Sequence, residues 1–133
     1  MKIYATISAL AIVVLISSMV YAHHSAAGID RSKSVTVEGT VKSFKWGNPH
    51  SWLEVDVPNS KGGVDLWNFE MNPPAYLVRS GWKSTSVKAG DKVKVTGRPF
   101  ISGEPGGIFV SATLADGQVL AAGASPSTLP PAK

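Results

Sequence analysis

Across residues 34–121 the apolar side chains recur at every second position, in short runs separated by Gly, Pro, Asn and Asp. A period of two belongs to extended strands with one buried face, and an amphipathic helix cannot produce it. In the first run Val35, Val37, Gly39 and Val41 share one face, and Thr36, Glu38, Thr40 and Lys42 share the other. The apolar role then passes to Phe44 and Trp46, a change of parity that calls for a bulge or sharp bend, for which Gly39 is the natural place. Gly47-Asn48-Pro49 breaks the run. Residues 51–57 resume the alternation with Leu53, Val55 and Val57 inward and Trp52, Glu54 and Asp56 outward. After a turn at residues 58–63, the run 64–71 carries Trp67, Phe69 and Met71 on its buried side.

One helical stretch interrupts this series. Asn72 stands where a capping side chain would, prolines occupy the first turn, residues 75–80 form the helix, and Gly81 ends it. Val93 and Val95 then alternate with lysines, residues 108–114 form a fifth strand, and Asp116-Gly117 turns into Val119-Leu120. Three strands, a short helix and two strands is the order of the five-stranded Greek-key barrel that binds oligonucleotides or oligosaccharides, the OB fold. The reading is therefore all-β: a small OB-like barrel at residues 34–121, with one short helix between strands 3 and 4. A small open sandwich is the alternative, because periodicity alone does not close a sheet. Residues 122–133, with Pro126, Pro130 and Pro131, read as a disordered tail.

The length of 133 residues bounds one domain. The absence of Cys excludes disulfides, thiolate catalysis and Cys-based metal sites. Lys2, an apolar stretch and Val20-Tyr21-Ala22 have the layout of an export signal at residues 1–22, with small residues at −3 and −1. An uncleaved anchor is the alternative, since about 20 apolar residues can span a bilayer. Cleavage would remove one of the 13 basic residues and none of the 9 acidic ones, leaving 12 against 9 and a formal charge of +3. The expected location is the periplasm or beyond, with no membrane contact after cleavage.

Cleavage after Ala22 makes His23 the first residue of the mature chain and His24 the second, opening a leader at residues 23–33. An N-terminal His offers its α-amine and ring Nδ1 as a chelate. A further imidazole would complete a three-nitrogen site of the kind that suits copper. The remaining histidine, His50, stands in Asn48-Pro49-His50, within the first inter-strand loop, where OB barrels commonly recognise ligands. The alternative is plain: histidines at a frayed terminus, and a turn in which Asn48 bonds its own backbone and His50 caps the strand. Cleavage after Ser25-Ala26-Ala27 would discard both leading histidines.

The set Ala22-His23-His24-Ser25, Val35-Thr36-Val37-Glu38-Gly39-Thr40-Val41 and Trp46-Gly47-Asn48-Pro49-His50-Ser51-Trp52 resembles a family of small exported bacterial proteins classed as a domain of unknown function. The resemblance implies export and a barrel, and it supplies no substrate. The segment from Gly90 to Gly97 is similar to the fourth strand of many OB domains.

Other residues complete the candidates. Trp46 and Trp52, if they flank the loop on the outer face, could stack on a sugar or peptide or shield a metal, whereas Trp67 and Trp82 are expected in the core. Asp30, Glu54 and Asp56 are candidate carboxylate partners for a metal or its histidines, though solvated strand faces explain them as well. Lys42, Lys45, Lys92 and Lys94 near aromatics form a crude single-strand nucleic-acid signature, which export argues against. No phosphate loop, nucleophile elbow or HExxH helix is present. The expectation is a copper-binding protein using His23, His24 and His50, with binding favoured over turnover. The alternative is a non-metal module that holds a periplasmic protein, peptide or glycan through the same loop and Trp52.

Overall fold

The computed structural model describes residues 28–123. The expected export segment, His23, His24 and positions 124–133 of the expected tail lie outside them. Six strands and one helix follow in order: β1 (Val35–Lys45), β2 (Trp52–Pro58), β3 (Val64–Glu70), α1 (Pro74–Arg79), β4 (Lys92–Pro99), β5 (Gly106–Leu114) and β6 (Val119–Ala121). β1 pairs antiparallel with β2 and β4, β2 with β3, and β4 with β5. Residues 68–70 of β3 then run parallel to residues 106–108 of β5 and close the ring. This is the five-stranded OB-like barrel, all-β with one short helix between strands 3 and 4. β6 is added to β5 along residues 111–113.

Alternation fills the interior. Leu53, Val55, Phe69, Val95 and Phe109 are each no more than 1% exposed, while the lysines flanking Val93 and Val95 face water. Closure depends on backbone approach at a few positions. A Cβ on Gly107, whose φ is +152°, would overlap the Arg98 carbonyl, so the β4–β5 corner requires glycine. A Cβ on Gly39 would meet the Asp56 carbonyl and the Val55 side chain.

Two local expectations are corrected. The bulge in β1 is not at Gly39: register shifts between Val41 and Ser43, leaving Lys42 as the extra residue, and this transfers the inward role to Phe44. Asn72 does not cap α1. The residue before the helix is Pro73, with no side-chain cap, and Asn72 is buried, its Nδ2 donating to the Ala122 carbonyl at 2.8 Å. Trp82 is in the core as expected, 1% exposed, and its Nε1 donates to the Ala121 carbonyl at 2.9 Å. It thereby ties β6 to the end of the barrel.

The chain also docks ahead of β1. Ile29 is 6% exposed and bridges Phe100, and the Gly28 carbonyl accepts from Ile101 N at 2.8 Å. The leader is thus pinned to the β4–β5 turn from Gly28 onward.

Candidate functional site

The loop between β1 and β2 is held from two sides. Ser51, with no exposed surface, places its Oγ 3.3 Å from Gly47 N and 3.4 Å from Gly47 O, which pulls the loop's two ends together. The Ser51 carbonyl accepts from Met71 N at 2.8 Å, and Ser51 N donates to the Asn72 carbonyl at 3.4 Å, so the loop is sewn to the end of β3. Asn48 and Pro49, joined by a cis peptide, are exposed at its tip.

His50 sits between tip and seam, its side chain 36% exposed. Its Nδ1 lies 3.1 Å from the Met71 carbonyl and 3.3 Å from Glu70 Oε1. A carbonyl oxygen can only accept, so Nδ1 carries the proton, and in the neutral ring the lone pair is on Nε2. A donor bond from one ring nitrogen to a carbonyl is found in metal-ligating histidines and equally in histidines that tie a loop to its neighbour.

The two candidate tryptophans part company. Trp46 turns toward the core and meets Phe44 edge-on, with ring centroids 5.7 Å apart. Trp52 stays on the outer face, half-buried, opposite Lys45 on β1 and Glu70 on β3. Of the three carboxylates proposed from sequence, two are already engaged. Asp30 accepts from the Ser32 hydroxyl at 2.6 Å and faces Lys33 at 3.1 Å, contacts that hold it below the usual carboxylate range. Glu54 accepts from the Ser43 hydroxyl at 2.5 Å and from Lys45 at 2.9 Å, and is lowered first by the hydroxyl and then by the lysine. Asp56 lies farther along β2, opposite Thr40 and Leu66.

Glu54 gives this face a measurable pH dependence. A carboxyl whose folded pKa is depressed contributes stability that is complete above its ordinary range and is lost as pH falls through the lowered value. Replacing Ser43 by Ala should therefore narrow the stability gap between pH 7 and pH 3, by about 1 kcal/mol at most given the partial solvation. Urea midpoints at the two pH values read the change. A variant that matched the parent at both would remove the hydroxyl from this account.

The residue that sequence reasoning missed is Glu70. It ends β3 on the outer face, and only the pairing of β2 with β3 brings it to His50. Among the described residues no group of three His, Cys, Asp or Glu side chains could hold a metal ion, so His50 would need nitrogen partners from outside them. A separate groove of about 420 Å³ shares no residue with the loop. The lysines lining it are engaged, Lys94 with Glu38 at 2.7 Å and Lys92 with Thr40 at 2.6 Å.

No curated protein and no solved structure matches the chain. A family model does, described as "Family of unknown function (DUF6152)", over residues 11–110. The match covers strands β1 to β4, the helix and the His50 loop, and the chain therefore belongs to this family.

Proposed function

We propose that this is an exported protein that binds one copper ion through the α-amine and ring of a mature N-terminal His23 together with His50, with His24 as the alternative or supporting ligand. The observation that carries the reading is the hydrogen bonding of His50. With Nδ1 committed to the Met71 carbonyl at 3.1 Å, the ring offers Nε2 as a ready donor. Copper favours such nitrogen ligands in tetragonal geometry. The periplasm is the matching compartment, and the role is binding, delivery or sensing.

Reach supports the same reading. With the chain docked from Gly28, five residues, 23–27, separate the docked part from the expected start at His23. From Ile29 the path to Glu70 crosses to Phe100, to Gly106 and to Asn68, then follows β3 for two residues. Three inter-strand steps of ~4.8 Å and ~7 Å of strand rise combine to about 16 Å in a flat sheet, and less in a curved one. Five residues fully extended would span about 17 Å, a length that matches this distance with little to spare.

The test is intact mass and Cu(II) titration of protein processed by its own signal and free of an N-terminal tag. The expected result is a chain beginning at His23 with one tightly held copper. His50→Ala should lower the affinity at least tenfold, about 1.4 kcal/mol, with little change in unfolding midpoint because the ring is partly exposed. Equal affinity in the two proteins would remove His50 from the site. A chain beginning at Gly28, or one without stoichiometric copper, would favour the module that holds a protein, peptide or glycan, for which Trp52 on the outer face is the available anchor.

A further inference from the structure

Glu70 is as withdrawn from water as Glu54 on the same face but has a different partner. Its side chain is 17% exposed, and its polar contact among the described residues is His50 Nδ1 at 3.3 Å. Carboxylates withdrawn from water need a cation or several hydrogen bonds beside them. The lysine on this face, Lys45, two strands away across Trp52, is committed to Glu54 at 2.9 Å. The group beside Glu70 that can carry balancing charge is therefore the imidazole, through a second ring proton or a cation on its far nitrogen. The Met71 carbonyl at 3.1 Å already satisfies the Nδ1 proton, so an anion beside the same nitrogen goes beyond what hydrogen bonding alone requires.

We infer that Glu70 is the positioning residue of the His50 site: its carboxylate, 3.3 Å from the Nδ1 whose proton the Met71 carbonyl accepts, holds the ring with Nε2 as the free donor and strengthens that donor toward a divalent cation. A carboxylate on one imidazole nitrogen raises the basicity of the other, and removing such a partner costs metal affinity even though it never touches the metal. Trp52, opposite Glu70 on β2, is placed to limit the water that would otherwise weaken this electrostatic effect. The inference rests on the copper reading for the identity of the cation, and on the metal-free geometry for the role of Glu70.

The experiment compares processed wild type, Glu70→Gln, His50→Ala and the double variant by Cu(II) titration and electron paramagnetic resonance, with Glu70→Ala added for the metal-free arm. Glu70→Gln should bind copper about tenfold more weakly, with altered nitrogen hyperfine coupling. The double variant should bind no more weakly than His50→Ala alone, because Glu70 acts through His50. Unchanged affinity in Glu70→Gln, or losses that multiply in the double variant, would overturn the inference. Should wild type take up no copper, the copper reading falls, and nitrogen-15 NMR of the metal-free proteins decides the role of Glu70. Wild type should then show His50 as a single Nδ1–H tautomer, with the Nε2–H form detectable in Glu70→Ala. The same tautomer distribution in both would overturn it.

Discussion

Acetylating the α-amine of His23 in the processed protein should lower copper affinity at least a hundredfold, about 2.8 kcal/mol. The cap converts the α-amine into an amide, whose nitrogen lone pair is delocalised and cannot act as a ligand without losing a proton. The chelate ring is lost with it, and the imidazoles that remain must be brought together at full entropic cost. His50→Ala removes one of three nitrogens and leaves the chelate intact, so the cap should be the larger effect. The barrel should be indifferent to it, since His23 lies five positions before Gly28, where docking begins. The measurement is competitive Cu(II) titration of acetylated and free-amine proteins against a chelator of known affinity, with a thermal melt of each metal-free form. Equal affinities would sink the N-terminal site and leave His50 as an isolated imidazole beside Glu70.

What the sequence revealed of this molecule is its local part. Leu53, Val55, Val93 and Val95 are buried because a strand with one inward face must alternate, and that is visible in a window of a few residues. The parity change in β1 was visible too, but its position was not. Gly39 suits a bulge by conformation, yet it is fixed by close approach to Asp56, and the extra residue falls at Lys42, two residues past Thr40, where pairing passes from β4 to β2. Asn72 shows the same limit: its local context is that of a cap, while its amide is taken by a carbonyl 50 residues later. The candidate site divides along this line. His50 could be singled out from its loop. Glu70 could not, because its meeting with His50 depends on the loop's attachment to Met71 and on the register of β2 with β3.

Trp82→Ala should be the most damaging single substitution in the barrel, costing about 3–5 kcal/mol. The indole meets Phe109 edge-on at 5.5 Å and Phe44 at 5.7 Å, and with 1% exposure its removal leaves a cavity that neighbours on two strands cannot fill. It also deprives the Ala121 carbonyl of its donor, a loss that the remaining apolar groups cannot repair. Domains of this size are stable by about 5–15 kcal/mol, so a large fraction is at stake, and the midpoint of thermal unfolding should fall by at least about 12 °C. Trp82→Phe separates the two contributions. It keeps an aromatic ring in the cluster and loses the N–H, so it should cost less than the alanine variant. The consequence extends to the loop: β6 is held by Trp82 at Ala121, the next carbonyl accepts from Asn72, and the Asn72 carbonyl accepts from Ser51 beside His50. Hydrogen exchange at Ser51 N should therefore accelerate in Trp82→Ala beyond what the loss of global stability explains. A urea-derived cost below about 1 kcal/mol, or exchange at Ser51 that follows global stability alone, would sever this link between core and site.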